Sequence, residues 1–179
     1  MSTRSLLRSQ LRRAWRRTIH GPYSDRLVNS ERGLQVHFCL SLLEEFKASK
    51  VRRRLFVEPM VLLPGATKRF PDLVICNGHR MIGVVEFKYT PRARPTGTKD
   101  ISTLGQLAAS GQTVVLANDR FRGIAEARRY SLAPDAVLCW AAVYAGGLVA
   151  LPDRVVSRIG PRFLRLDAIA HDGDEVEIP

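Results

Sequence analysis

The stretch Pro71-Asp72-Leu73-Val74-Ile75-Cys76-Asn77-Gly78-His79-Arg80-Met81-Ile82-Gly83-Val84-Val85-Glu86-Phe87-Lys88 decides how this 179-residue chain folds. Pro71 opens a strand running from Asp72 to Cys76, Asn77-Gly78 is a strong hairpin signal, and Arg80 to Tyr89 supplies the returning strand. Side chains alternate along a strand, so Glu86 and Lys88 share one face while Val85 and Phe87 take the other. An acid and an amine on a hydrophobic strand are costly unless they are exposed or employed. With Asp72 at the start of the partner strand, two carboxylates and a lysine converge on one end of the hairpin. Such a group could hold a hard, oxygen-seeking cation, Mg²⁺ or Mn²⁺, with the lysine orienting a water molecule or balancing phosphate charge.

Register decides whether they converge. A strict two-residue turn at Asn77-Gly78 pairs Cys76 with His79, sets Asp72 opposite Gly83, and turns Asp72 away from Glu86. A three-residue loop, Asn77-Gly78-His79, sets Asp72 opposite Val84. Glu86 is then its diagonal neighbour on the same face, roughly 7–8 Å away between α-carbons. A β-bulge farther along has the same effect. The bland alternative is a set of surface ion pairs, Glu86 with Lys88 or Asp72 with Arg80, carrying no chemistry.

Outward from the hairpin, Asn29 and Ser30 are good N-caps for a helix reaching about Lys50, apolar around much of its circumference. Arg54 to Leu63 reads as a strand ending at Pro64-Gly65. Beyond Lys88, Pro91 to Thr98 is a polar loop, and Asp100 caps a helix, Ile101 to Ser110, closed by Gly111. Thr113 to Ala117 is apolar on both faces, as in a buried strand reached by a helical crossover. Phe121 to Tyr130 reads as a helix carrying Arg120, Arg122, Arg128 and Arg129, and Ala136 to Leu151 as a late hairpin turning at Gly146-Gly147. The whole is an α/β chain with a mixed central sheet and flanking helices.

Composition allows a packed core, at 45% hydrophobic and 25% charged residues. A formal charge of +11 favours a polyanionic partner, nucleic acid or an acidic membrane surface. Arginine outnumbers lysine by 23 to 5, a bias that suits phosphates and that GC-rich coding would also produce. Cys39, Cys76 and Cys139 stand singly, forming neither a disulfide framework nor a zinc site, which suits a reducing, cytoplasmic compartment. No transmembrane helix is expected. Residues 1–28 read as a basic helical arm in which Leu7, Leu11, Trp15 and Ile19 recur every four residues. It fits a solvated helix packed on the domain, a nucleic-acid-binding arm, or a mitochondrial transit peptide. Residues 29–166 form the main domain, and 167–179 an acidic tail expected to fray.

Pro71-Asp72, thirteen intervening residues, then Glu86-Phe87-Lys88 resembles the signature of the PD-(D/E)XK nuclease superfamily, the restriction-endonuclease-like fold. The expected helix, three-strand meander, helix and strand resemble its αβββαβ core over about Asn29 to Asn118. The resemblance implies that Asp72 and Glu86 are metal ligands, the Phe87 carbonyl a further ligand, and Lys88 the catalytic lysine. Many members add an acid from the first helix. Glu31 is the candidate, and an acid favoured there by the helix dipole is an equal reading. Gln106 matches a glutamine of some exonuclease branches, but Ser110 stands where their tyrosine would be, and a solvent-facing role serves as well.

The resulting expectation is a Mg²⁺- or Mn²⁺-dependent nuclease, DNA ahead of RNA and endonuclease ahead of exonuclease, with a homodimer as one candidate assembly. Arg53, Arg54, Arg92 and Arg94 are candidates for a phosphate track. The first rival is a catalytically inactive module of the same fold that binds nucleic acid or a protein partner. A further rival is a structural α/β protein whose basic helix binds an anionic membrane.

Overall fold

The computed structural model describes residues 3–96, 98–118, 128–171 and 175–179. In chain order the elements are α1 (Thr3–Thr18), α2 (Glu31–Ala48), β1 (Arg54–Val57), β2 (Val61–Leu62), β3 (Lys68–Arg69), β4 (Leu73–Asn77) and β5 (Arg80–Thr90). They continue with α3 (Thr98–Ser110), β6 (Val115–Asn118), β7 (Arg128–Ala145), α4 (Asp153–Ile159), β8 (Phe163–Ala170) and β9 (Val176–Glu177). One mixed sheet joins all nine strands. Its central run is β1-β4-β5-β7-β8, antiparallel through β5 and parallel from β5 to β8. The N-terminal end of β7 instead pairs antiparallel with β6, which carries β2 and β3.

Local chemistry accounts for the boundaries. Ser30 caps α2, its hydroxyl accepting from the Gly33 amide at 3.0 Å. The strand expected over residues 54–63 is broken in two. Glu58 turns to φ 46° and Pro59 has no amide to donate, so the chain leaves the β4 edge and resumes as β2 beside β6. The hairpin turn is Gly78-His79, with Gly78 at φ 58° and Asn77 paired with Arg80. An extra residue at Ile82 then shifts the ladder from Cys76↔Met81 to Ile75↔Gly83.

The parallel strand reached through α3 is β7, not the segment 113–117: the strand there, β6, runs from Val115 to Asn118 and pairs antiparallel. Residues 136–145 are thus no hairpin arm. They lie between two parallel neighbours at the sheet centre, and residues 148–151 form no strand. The helix expected over 121–130 falls mostly outside the described residues, and Arg128 to Tyr130 belong to β7. The expected tail boundary at 166/167 falls inside β8, and β9 pairs back onto it at Ile169↔Glu177.

Helices cover both faces. α1 and α2 share one side: Leu7 packs on the sheet at Gly83, where an added Cβ would meet the Leu7 Cδ2 at 3.0 Å, and Phe38 meets Phe87 edge-on at 5.2 Å. Leu7, Leu11, Ala14, Trp15 and Ile19 are all core residues, so the basic segment is built into the domain through its apolar stripe. On the other face α3 packs against α4 at Gly105 and Val155, and Arg162 donates to the Ala108 carbonyl. Among the described residues no helix is long and apolar enough to cross a membrane.

Candidate functional site

β4 begins at Leu73, opposite Val85, so the β5 amides beyond that point have no strand partner on the β4 side. Two carboxylates replace it. Asp72 Oδ2 accepts from the Phe87 amide at 2.6 Å, and Glu31 Oε2, from the first turn of α2, accepts from the Tyr89 amide at 3.1 Å. A strand residue turns its N–H and C=O toward the same edge, so the Phe87 carbonyl also faces this side. Asp72 is itself fixed by its backbone, whose carbonyl accepts from the Gln35 side chain and from the Glu58 amide.

The bulge at Ile82 carries the ladder to Leu73↔Val85, and one step further sets Asp72 directly opposite Glu86. Their carboxyl groups are in contact, and Glu86 is only 6% exposed. Burial, then repulsion by Asp72 and Asp100, pushes Glu86 up to about 9. Burial also raises Asp72, to about 6, with Glu31 and Asp100 adding to the rise and the Phe87 amide opposing it. No lysine or arginine among the described residues forms an ion pair with either. This environment favours the protonated form of the Glu86 carboxyl beside Asp72.

Lys88 follows on the same face of β5, its Nζ 3.7 Å from Glu31 Oε2 and 4.0 Å from Asp100 Oδ2 in the first turn of α3. Burial raises the Asp100 carboxyl, opposed by the charge of Lys88. These groups line a cleft of about 530 Å³ together with Lys68, Arg69, Phe70, Lys99, Ser102, Thr103 and Gln106. Its floor is acidic and its rim basic. Gln106 is therefore no free surface residue: its Oε1 accepts from Arg69 Nε at 2.7 Å, tying α3 to β3.

The arginines expected along a phosphate track lie elsewhere. Arg54 pairs with Cys76, at the opposite end of the hairpin from Asp72, and its guanidinium donates to the Tyr130 hydroxyl at 2.9 Å. Arg53 lies over the Phe46 ring at 5.0 Å and donates to Gln10 of α1. Arg94 packs on Gly146 and donates to the Gly147 carbonyl, and Arg92 borders a separate cleft with Tyr23 and Tyr89. The cations actually in the cleft are Lys68, Arg69, Lys88 and Lys99. Sequence reading missed Lys68, Arg69 and Lys99, and took Asp100 for a cap. The adjacency of Lys68-Arg69-Phe70 to Pro71-Asp72 was the available signal.

The oxygen-only donor set of Asp72, Glu86 and the nearby Phe87 carbonyl suits a hard divalent cation, whose charge would relieve the repulsion between the two acids. Among the described residues no three or more His, Cys, Asp or Glu side chains are gathered so that they could hold a metal ion. Two carboxylates leave the remaining positions to water and phosphate oxygens, the usual habit of Mg²⁺. The chain matches no protein-family model and no curated protein sequence.

Proposed function

We propose that this protein is a Mg²⁺- or Mn²⁺-dependent nuclease, acting on DNA ahead of RNA and cutting internally ahead of trimming ends. The observation that carries the reading is the facing pair of half-buried Asp72 and buried Glu86, with Lys88 two residues further along β5 in a cation-rimmed cleft. The succession α2, β1, β4, β5, α3, β7, with β7 parallel to β5, supports the resemblance to the restriction-endonuclease-like core. Two small insertions, β2-β3 and β6, extend that succession.

Asp72 and Glu86 would hold the ion, with the Phe87 carbonyl beside them, while Glu31 steadies the strand end through the Tyr89 amide. A divalent ion held there would supply Lewis-acid polarisation of the scissile phosphate and a more acidic bound water. Glu31 and Asp100 keep the Lys88 ammonium pointing into the cleft, where it offsets charge gathering on the phosphate oxygens. Lys68, Arg69 and Lys99 draw the polyanion in.

Cleavage of single-stranded, duplex and branched DNA, and of RNA, with Mg²⁺, Mn²⁺ or chelator, tests this. Lys88→Ala should keep the fold and lose about 10²–10³ in rate, the usual cost of one preorganised charge. Equal residual activity of wild type and Lys88→Ala on every substrate overturns the reading, and a binding module of the same fold replaces it.

A further inference from the structure

We propose that Phe70 is a stacking platform for an unpaired base beside the Asp72–Glu86 pair, so that the nucleic acid entering this cleft is single-stranded or locally opened where it is cut. The proposal rests on the nuclease reading of the cleft and specifies its substrate. Phe70 is 61% exposed and is the one exposed phenylalanine among the described residues. It belongs neither to the core nor to the apolar groups packed against it. Phe70 lines the cleft that Asp72 and Glu86 also line, two positions along the chain from Asp72 itself. Unlike the exposed aliphatic side chains Leu27, Val36, Leu40, Leu43, Val57 and Leu148, Phe70 is aromatic and lies in the cleft, where a π face can stack on a planar base.

The backbone holding the ring is constrained on both sides. Arg69 pairs with Val61 in the β2–β3 ladder and is tied to Gln106 through its side chain. Pro71 is buried behind it, and the residue before a proline is confined to extended backbone. A ring presented in this way loses little freedom on binding. Lys68, Arg69 and Lys99 border the same cleft and supply charge for neighbouring phosphates.

An aromatic face within a cationic groove is how single strands are held regardless of sequence. The volume of about 530 Å³ lies in the range that encloses one small molecule, the scale of a nucleotide. A paired base is stacked inside its duplex and offers Phe70 no ring face until it is extruded.

The test is fluorescence anisotropy of labelled oligonucleotides on the full chain in chelator, where metal-dependent cleavage stops. Wild type should bind a mixed-sequence single strand more tightly than the same sequence as duplex. Phe70→Ala and Phe70→Leu should lose about five- to hundredfold in single-strand affinity, and Phe70→Trp should retain it. Duplex, and a strand lacking bases throughout, should bind all four proteins alike. Unchanged single-strand affinity in Phe70→Ala overturns the proposal. So does full retention in Phe70→Leu, which keeps the apolar bulk without the π face, or an equal loss on the abasic strand. The two readings fail separately. Phe70-dependent binding without Mg²⁺-dependent cleavage removes the nuclease and leaves the platform. Cleavage of single strands at unchanged kcat/KM in Phe70→Ala removes the platform and leaves the nuclease. A wild type that binds no oligonucleotide removes both.

Discussion

Asp72 and Glu86 stand opposite each other where the β4–β5 ladder ends, and their carboxyl groups share a hydrogen bond. The fold accepts this pair protonated more readily than ionised: burial, with Glu31 and Asp100 nearby, raises Asp72 to about 6, and burial, with Asp72 and Asp100 nearby, raises Glu86 to about 9. Their contribution to stability is therefore complete below the unfolded values near ~4 and is lost as pH rises through the folded ones. Denaturant unfolding should show stability falling between about pH 4 and 9, at up to about 1.4 kcal/mol per pH unit for each titrating group. Glu86→Gln should flatten the profile, and added Mg²⁺ should stabilise wild type most at the alkaline end. A profile identical in wild type and Glu86→Gln contradicts this account.

Lys88 is held by two acids from different helices, Glu31 on α2 and Asp100 on α3. Asp100→Asn should lower the cleavage rate by about tenfold when Lys88 is present and change nothing in a Lys88→Ala background, the non-additivity expected of groups in contact. A double-mutant cycle on kcat, with metal affinity followed by calorimetry, measures this. Independent, additive losses would remove the link between the two residues.

Charges at the two ends of the hairpin should separate cleanly. Lys68→Ala or Lys99→Ala should each reduce the salt slope of nucleic-acid binding by roughly one unit. Arg53→Ala should leave that slope unchanged and instead cost about 1–2 kcal/mol of stability, through the lost Phe46 stacking and Gln10 hydrogen bond. Binding isotherms at several salt concentrations, beside unfolding curves, distinguish the two outcomes.

Gly83 is a packing prediction. An added methyl would press on Leu7 of α1 and on Ile75 Cδ1, at 3.0 and 3.2 Å. Gly83→Ala should cost about 1–3 kcal/mol by overpacking. Leu7→Ala in the same chain should recover part of that loss, which a thermal melt of both variants and their combination reads directly.

Much of the frame was legible because its signals are local. Ser30 before an apolar run, Gly78 in a turn and the period-two alternation up to Lys88 each act within a few residues. The sequence allows the convergence of Asp72 with Glu86 as a diagonal pair, through a three-residue loop or a bulge; the structure instead sets them directly opposite, by a Gly78-His79 turn and a bulge together. Ile82 is apolar like its neighbours, so nothing in its chemistry announces a bulge. The role of residues 136–145 was hidden for a different reason. An apolar run of that length serves a hairpin arm or a central parallel strand equally well, and only partners distant in sequence decide. Lys68, Arg69 and Asp100 reach the cleft through such tertiary placement. Arg53 and Arg54 looked like surface charge because nothing local shows that Phe46 and Tyr130 wait beside them.

The single extra residue at Ile82 makes the site a matter of parity. In the ladder nearest the turn, Asp72 would lie across from Val85, and the two acids would emerge on opposite sides of the sheet. One inserted position reverses that phase for every residue between the bulge and the open end. Deleting Ile82 would remove one position and the bulge together and leave Asp72 opposite Glu86, whereas keeping Ile82 and pairing it with Ile75 in a regular ladder would dismantle the pair. By the same arithmetic, the interval between Asp72 and Glu86 can lengthen or shorten by two residues without changing which way either acid looks. Any odd change must come with a compensating gain or loss of a bulge.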